Sequence, residues 1–323
     1  MSSRLPSLSE IEEAAALVYQ HMPPTPQFNW PLLDQAAGTE VWVKHENHTR
    51  VGAFKIRGGI VMFDKLRREQ PELRGVIAAT RGNHGQSVGF AAKMTGLSAT
   101  IVVPHGNSRE KNGAMRALGA ELIEHGNDFQ AAYEFAQAQA AERGLLMVPS
   151  YNAPIVLGVA TYCLEFLRGV PELDTVYVPV GMGSGVCAMV AARDALGLKT
   201  KVVGVVSAGA PAYRLSFEAG RVVEHPVTTV LADGLACRVP LEEPLEVMIA
   251  GVERMVSVSE AEVAEAMRTL FACTHNVAEG AGAASTAGLL QEREAMRGKR
   301  VGVTLCGGNV DADVFARVLS GAV

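Results

Sequence analysis

The strongest constraint on the fold is the alternation of short β-rich runs with helical stretches that begins at Val76. One series has expected strands at 76–79, 99–103, 121–123 and 145–148 and expected helices at 86–94, 109–118 and 129–141. A second series has helices at 154–168 and 186–196, strands at 175–180, 202–206, 255–258 and 301–305, and a helix opened by a capping box of Ser259 and Glu262. Such alternation is typical of parallel sheets covered by helices on both faces. The sequence therefore predicts an α/β protein with two doubly wound open sheets, the smaller one within residues 74–150.

Composition and charge exclude several classes of protein. The formal net charge of −5 comes from 29 basic and 34 acidic side chains that are well mixed, so no basic stripe is available for nucleic acid. The five cysteines show no close C-x-x-C pairing, which argues against a disulfide framework and a zinc site. The N-terminal segment lacks the apolar core of a signal peptide, and Ser9 and Glu12 are instead placed as a capping box. No apolar run reaches the ~18 residues of a membrane helix, so we expect a cytoplasmic protein without nucleic-acid or membrane partners.

A glycine-rich loop follows the expected strand 175–180 and precedes a helix. Closely spaced glycines let backbone N–H groups approach an anion, and a helix N-terminus adds partial positive charge, so a phosphate is the expected ligand. A dinucleotide would require glycine in place of Val186 and a carboxylate at the end of the next strand, near Ser207, and neither is present. A monophosphate is therefore favoured, and a turn whose glycines only permit close packing is the alternative. The loop consists of Gly181, Met182, Gly183, Ser184 and Gly185.

Three further segments contain residues that could bind a ligand or react with it. The loop Thr80-Arg81-Gly82-Asn83-His84 leads from a strand into a helix and suits a carboxylate or an aromatic hydroxyl, although His84 alone is more simply a packed side chain. Lys55 lies in a glycine-bracketed apolar stretch, where desolvation lowers an amine pKa and favours Schiff-base formation; the alternative is an ordinary lysine that reaches solvent. Cys306, after the last strand, is either a core thiol or a weak donor to a ring nitrogen.

Together and in this order, these motifs resemble those of the fold-type II pyridoxal-phosphate enzymes, most closely the serine/threonine dehydratase and serine racemase family. The resemblance runs over about residues 24–310 and includes Gly-x-Phe-Lys-x-Arg-Gly, Gly-Asn-His-Gly-Gln, the glycine-rich loop and a final Gly-Gly-Asn turn. It implies a fold like that of the tryptophan synthase β subunit, with pyridoxal 5'-phosphate in the cleft between two domains. It also implies a small domain of residues 74–150 inserted into a large domain of residues 1–70 and 152–323, and a homodimer or higher homo-oligomer.

The resemblance assigns a role to each motif residue. Lys55 is expected to hold the cofactor as a Schiff base and to carry a proton, with Phe54 beside it. Asn83 is expected to bond to the ring 3-hydroxyl, residues 181–185 to bind the phosphate, Cys306 to face the ring nitrogen, and Glu279 to lie beside the cofactor. The residues expected to bind substrate are Thr80, Arg81, Asn83, His84, Ser150 and Tyr151.

Three departures from the family pattern bear on the reaction. Racemases of this family have serine where this chain has Arg81, so we expect little or no racemisation. The stretch 206–213 lacks the carboxylates that a divalent-cation site needs, so we expect no metal. Residues 158–161 read Gly-Val-Ala-Thr instead of the usual Gly-Gln-Gly-Thr, which indicates altered specificity. Arg81 suits a second carboxylate, as in 3-hydroxyaspartate, whereas Tyr151 suits an aromatic group, as in phenylserine.

We therefore predict a pyridoxal-phosphate-dependent dehydratase, an ammonia-lyase similar to threonine dehydratase. It is expected to eliminate water from a β-hydroxy-α-amino acid (threonine, serine, phenylserine or 3-hydroxyaspartate) and to release a 2-oxo acid and ammonia. The alternatives within the family are an amino-acid racemase and a β-replacement synthase. The alternative from another class is a non-catalytic module that binds a phosphate or a nucleotide.

Overall fold

The computed structural model describes residues 4–323 and contains two mainly parallel sheets. The strands are β1 Gln27–Asn29, β2 Glu40–His45, β3 Gly75–Ala79, β4 Ser98–Val103, β5 Glu121–Glu124, β6 Leu146–Met147, β7 Thr175–Pro179, β8 Lys201–Ser207, β9 Arg254–Val258 and β10 Arg300–Leu305. The α-helices are α1 Leu8–Val18, α2 Pro31–Ala37, α3 Lys55–Glu69, α4 Asn83–Thr95, α5 Arg109–Ala117, α6 Phe129–Arg143, α7 Ala153–Gly169, α8 Ser184–Ala195, α9 Ala212–Ala219, α10 Glu242–Gly251, α11 Glu260–Thr274, α12 Gly280–Gln291 and α13 Ala312–Leu319. Short 3-10 helices span Asp233–Leu235 and Arg293–Met296.

Each sheet is built from a different part of the chain. The smaller sheet has four parallel strands in the order β5-β4-β3-β6. The larger sheet has the order β1-β2-β10-β7-β8-β9 and is parallel except for the edge strand β1, which is antiparallel to β2. The predicted α/β class and the two sheets are confirmed. The sequence analysis assigned no strand before residue 76 and therefore missed β1 and β2, which extend the larger sheet beside β10.

Most predicted elements lie within one or two residues of the observed ones, and the helix starts near the site differ most. Helix α4 begins at Asn83 instead of residue 86, because the backbone N–H of Gln86 already donates to the carbonyl of Gly82 at 2.9 Å. Helix α8 likewise begins at Ser184 instead of residue 186. The motif residues after β3 and β7 therefore form the first turns of helices, where backbone N–H groups lack helical partners.

The N-terminal capping box is a correction to the sequence analysis. It is formed by Ser7 and Glu10, instead of Ser9 and Glu12, because α1 begins at Leu8. Both pairs have the same spacing, so the pattern alone did not distinguish them. The capping box of Ser259 and Glu262 at the start of α11 is confirmed.

Helix α3 packs against α4 on one side and α7 on the other, and glycines allow the close approach. A Cβ atom on Gly58 would lie 2.9 Å from Cγ2 of Ile155, and one on Gly158 would lie 2.3 Å from the carbonyl oxygen of Arg57. The side chain of Arg57 is buried and pairs with two carboxylates from outside α3. These contacts fix the start of α3, whose first residue is Lys55.

Replacing Gly158 with alanine should destabilise the protein strongly. The new Cβ would meet backbone atoms of α3, which cannot move without disturbing the buried arginine, so we expect a loss of about 3 kcal/mol in the free energy of unfolding. Gly113, inside α5, is the matched control because a Cβ there meets open space. Its alanine variant should be neutral or more stable by about 0.5–1 kcal/mol. Urea unfolding of both variants tests this, and equal stability of the two would contradict it.

Candidate active site

A cavity opens beyond the carboxyl ends of strands from both sheets. Its empty volume, including the open mouth, is about 920 Å³, within the range of small-molecule sites. The residues that line it follow β3, β7 and β10 and begin α3. All but one of the predicted site residues lie on its wall: Phe54, Lys55, Thr80, Arg81, Asn83, His84, Ser150, Gly181, Met182, Gly183, Ser184, Gly185, Glu279 and Cys306.

Tyr151 is the exception. Its side chain is buried in the apolar core and lines a different cavity, with Leu5 and Val156 among its neighbours. The apolar ring packs in the core, whereas the preceding Ser150 faces the first cavity. The structure thus places the Tyr151 side chain away from the cavity that the other predicted site residues line, a placement that does not favour its predicted contact with an aromatic substrate.

Lys55 places its amine beside the glycine-rich loop. Its Nζ donates a hydrogen bond to Oγ of Ser184 at 3.0 Å and lies 5.0 Å from the centre of the Phe54 ring. Burial lowers the pKa of Lys55 to about 8. The amine also stands at the first residue of a helix, where the macrodipole disfavours positive charge. A minor but reactive neutral fraction, roughly a tenth at pH 7, makes Lys55 a competent nucleophile toward an aldehyde.

The glycine-rich loop has the geometry of an anion cradle. Gly183 adopts the left-handed conformation at φ 95°, and a Cβ on it would lie 2.8 Å from side-chain atoms of Pro244 and Met248. A Cβ on Gly181 would lie 2.4 Å from the carbonyl oxygen of Gly234. No side chain caps α8, so the N–H groups at its start remain available to a ligand. Glycine is therefore required at both positions, and the loop suits a phosphate.

A polar network joins the two sheets at the other side of the cavity. The side-chain amide of Asn83 donates to Glu279 and accepts from the amide of Asn309 at 2.8 Å. The amine of Lys111 lies 3.1 Å from Oε2 of Glu279 and 3.0 Å from Oδ2 of Asp233. Sequence analysis missed Lys111 and Asp233. Lys111 stands in the first turn of α5 after β4, where the strand-end rule could have indicated it, but Asp233 lies in an irregular segment that carries no pattern.

Burial and neighbouring charges set the protonation states in this network. Burial alone would lower the pKa of Lys111, but Glu279 and Asp233 together outweigh it and raise the pKa, so the amine stays charged. Burial raises the pKa of Glu279 despite the opposing effect of Lys111. Burial also raises the pKa of Cys306 well above its usual value, so the thiol stays neutral. A neutral thiol and the charged Lys111 ammonium thus line the same cavity.

The loop after β3 presents backbone N–H groups to the cavity. The hydroxyl of Thr80 accepts from the N–H groups of Gly82 at 2.9 Å and Gly85 at 3.3 Å, so it shapes the turn. The N–H groups of Asn83 and His84 have no acceptor in residues 4–323. His84 is buried with Nε2 3.4 Å from the carbonyl oxygen of Val148, and burial, helped by Lys55, lowers its pKa to about 4. His84 is therefore neutral at physiological pH, and the turn can accept a carboxylate.

Comparisons with known proteins identify the family. A family model described as pyridoxal-phosphate dependent enzyme matches residues 18–307. The chain is 34% identical over 315 residues to an L-threonine ammonia-lyase of Thermotoga maritima, covering 97% of this chain and 78% of that protein. It is 30% identical over 318 residues to an L-threo-3-hydroxyaspartate ammonia-lyase of Saccharomyces cerevisiae, covering 98% and 97%. It superposes on maize serine racemase with a TM-score of 0.90 at 26% identity, covering 99% of this chain and 98% of that chain.

The chain belongs to the pyridoxal-phosphate-dependent enzyme family, and its cofactor is pyridoxal 5'-phosphate. The cavity fits this group because an amine of lowered pKa stands beside a phosphate cradle. One buried polar atom on its wall, Nε of Arg81, also lacks a hydrogen-bond partner within the described chain. Among residues 4–323 there is no group of three or more His, Cys, Asp or Glu side chains that could hold a metal ion. In the same residues no helix is long and apolar enough to cross a membrane.

The low pKa of His84 predicts a loss of stability in acid. Unfolded histidine has a pKa near 6.5, so between about pH 6.5 and 4 the unfolded chain binds a proton that the folded chain does not, and stability falls as the pH falls. The full contribution is roughly 3 kcal/mol. Urea unfolding from pH 7 to 4 should show a shallower decline for His84→Gln than for wild type. The control is His105→Gln, at an exposed position, and it should decline like wild type; identical slopes in all three proteins would contradict the assignment.

Proposed function

We propose that this protein is a dehydratase that eliminates water from a β-hydroxy-α-amino acid and releases a 2-oxo acid and ammonia. The observation that carries the proposal is the Lys55 amine, with its lowered pKa, 3.0 Å from Ser184 at the start of the phosphate cradle. The names of the relatives, L-threonine ammonia-lyase and L-threo-3-hydroxyaspartate ammonia-lyase, support the same reaction class. When bound, pyridoxal 5'-phosphate supplies an electron sink for the α-carbon of an amino acid.

In this proposal, different residues on the cavity wall bind the cofactor, bind the substrate and transfer the proton. In this proposal the N–H groups of residues 181–185 bind the phosphate, and Lys55 binds the cofactor aldehyde. Once the substrate amine has replaced it, the Lys55 amine takes the proton from the substrate α-carbon. Asn83 is held by Glu279 and Asn309 in position to meet the ring hydroxyl. The N–H groups of Asn83 and His84 receive the substrate α-carboxylate.

The neutral thiol of Cys306 bears on which reaction is favoured. An acidic partner at the ring nitrogen would hold a proton there and stabilise a long-lived carbanion, whereas a buried neutral thiol does so only weakly. When bound, the cofactor would then act as only a moderate electron sink, which would favour loss of the β-hydroxyl as water over transamination. This supports elimination in preference to the other reactions of the family.

Replacing Lys55 with alanine should abolish both cofactor attachment and catalysis. We expect the purified protein to absorb near the edge of the visible range and to lose that absorbance on borohydride treatment or in Lys55→Ala. The variant should form no 2-oxo acid from serine, threonine or 3-hydroxyaspartate. Lys93→Ala, on the exposed side of α4, is the control and should keep both properties. A colourless wild-type protein would support the non-catalytic phosphate-binding alternative instead.

Racemisation should be slow compared with elimination. A racemase needs a second base on the far side of the α-carbon, and an arginine guanidinium at position 81 does not release its proton in proteins. We expect L-serine to yield pyruvate and ammonia with little D-serine, measured by chiral chromatography, and Arg81→Ser to raise the D-serine fraction. Formation of D-serine by the wild type as fast as pyruvate would favour the racemase alternative.

The division into a large domain and an inserted small domain of residues 74–150 stays a prediction, as do the homo-oligomer and the cytoplasmic location. The arrangement of the two sheets is compatible with the proposed insertion, because every strand of the smaller sheet lies between residues 75 and 147.

A further inference from the structure

We propose that Arg81 binds a second carboxylate of the substrate, so that the preferred substrates are β-hydroxy amino acids with a carboxylate on the β-carbon. This inference rests on the proposed dehydratase function and names the substrate class of the same site. Arg81 lies two residues after the end of β3 and lines the cavity beside the loop proposed to receive the α-carboxylate. It also lines a neighbouring cavity, so its side chain stands in the wall that the two cavities share.

Arg81 is a cation without a counterion. In the part of the chain that the structure describes, no carboxylate oxygen lies within the 4.0 Å of its guanidinium that defines an ion pair. Its Nε is buried and makes no hydrogen bond in the same residues. A half-buried guanidinium loses hydrogen bonds to water, and here the protein does not replace them. This is unfavourable unless a ligand provides a hydrogen-bond acceptor. A carboxylate is the natural ligand because it can accept two parallel N–H bonds from the guanidinium.

The other charged groups on this wall are already paired. The Lys111 amine forms ion pairs with Asp233 at 3.0 Å and Glu279 at 3.1 Å. The aliphatic part of its side chain packs against Gly82, where a Cβ would lie 2.4 Å from Cδ of Lys111. Lys55 is engaged with Ser184 and is the amine proposed to hold the cofactor. Arg81 is thus the cation of this wall that remains available to an anion from outside the chain.

The two carboxylates of a diacid have separate places in this arrangement. The free N–H groups of Asn83 and His84 suit the α-carboxylate, and Arg81 precedes them by two and three residues on the same turn. The cofactor phosphate has its own cradle after β7, in the other sheet. A substrate with one carboxylate leaves Arg81 unpaired, whereas 3-hydroxyaspartate satisfies both positions. The additional pairing of Arg81 should therefore give the diacid tighter binding and a higher kcat/KM than a substrate with one carboxylate.

The test compares substrates across matched variants of the holoenzyme. We expect wild type to prefer a 3-hydroxyaspartate diastereomer over threonine and serine in kcat/KM for 2-oxo acid release. In Arg81→Met the ratio of kcat/KM for 3-hydroxyaspartate to that for threonine should fall about a hundred-fold, the effect of losing a charge-assisted bidentate pair. Arg81→Lys should give a smaller fall, because it keeps the charge but not the planar fork. Arg116→Met, on the exposed side of α5, removes one charge away from the cavity and should leave the ratio unchanged.

A binding measurement separates failure of this inference from failure of the proposed function. Malate and succinate have two carboxylates and no amine, so calorimetric titration of the holoenzyme measures diacid binding without turnover. We expect wild type to bind both more tightly than lactate, and Arg81→Met to lose the difference. If Arg81→Met weakened threonine and 3-hydroxyaspartate equally, Arg81 would be the α-carboxylate ligand and the inference would be overturned. If no substrate released a 2-oxo acid, the dehydratase would be wrong, while the loss of diacid binding in Arg81→Met would still support an acidic ligand.

Discussion

The buried ion pairs of Arg57 are the interaction on which the site depends most. The guanidinium bonds to Glu46 at 2.8 Å and to Glu165 at 2.6 Å, and all three side chains are nearly or wholly buried. Burial alone would lower the pKa of Arg57, but the two carboxylates raise it, so the charge is retained. Because an unpaired buried charge costs several kcal/mol, α3 is stable only where both carboxylates meet the guanidinium. Lys55 stands two residues earlier, so its amine is positioned by the same contacts.

Polar contacts between the two sheets complete the cavity on its opposite wall. Asn83 and Lys111 come from segments that follow strands of the smaller sheet, whereas Glu279 and Asp233 come from segments around the larger one. Asp311 adds a further link, because its carboxylate accepts the backbone N–H of Arg109 at the start of α5. The cavity thus holds charged groups that satisfy one another across the two sheets. This pairing is also why one cation, Arg81, remains available for a ligand.

The sequence predicted the motif positions well because the fold gives them a common location. Parallel strands in a sheet end at the same edge, so residues 80–84, 181–185 and 306 were expected together at strand ends, and they are. The strands with strong apolar runs were predicted for the same reason, since burial on both faces leaves a clear pattern. The short strand β1 was missed, and β6 was predicted to be longer than it is. Strands of two or three residues are too short to show a clear apolar pattern.

The sequence by itself determined the α/β class, the two sheets and most of the predicted site residues that line the cavity, because these follow from local patterns repeated at strand ends. Only the tertiary structure decided that Lys111 pairs with Asp233, that Tyr151 packs away from the cavity, and that Arg81 has no counterion among residues 4–323. Each of these depends on which irregular segment lies against which helix. Such contacts are set by long-range packing. Lys111 and Asp233, for example, are more than a hundred positions apart, so no local sequence pattern contains both and predicts their contact.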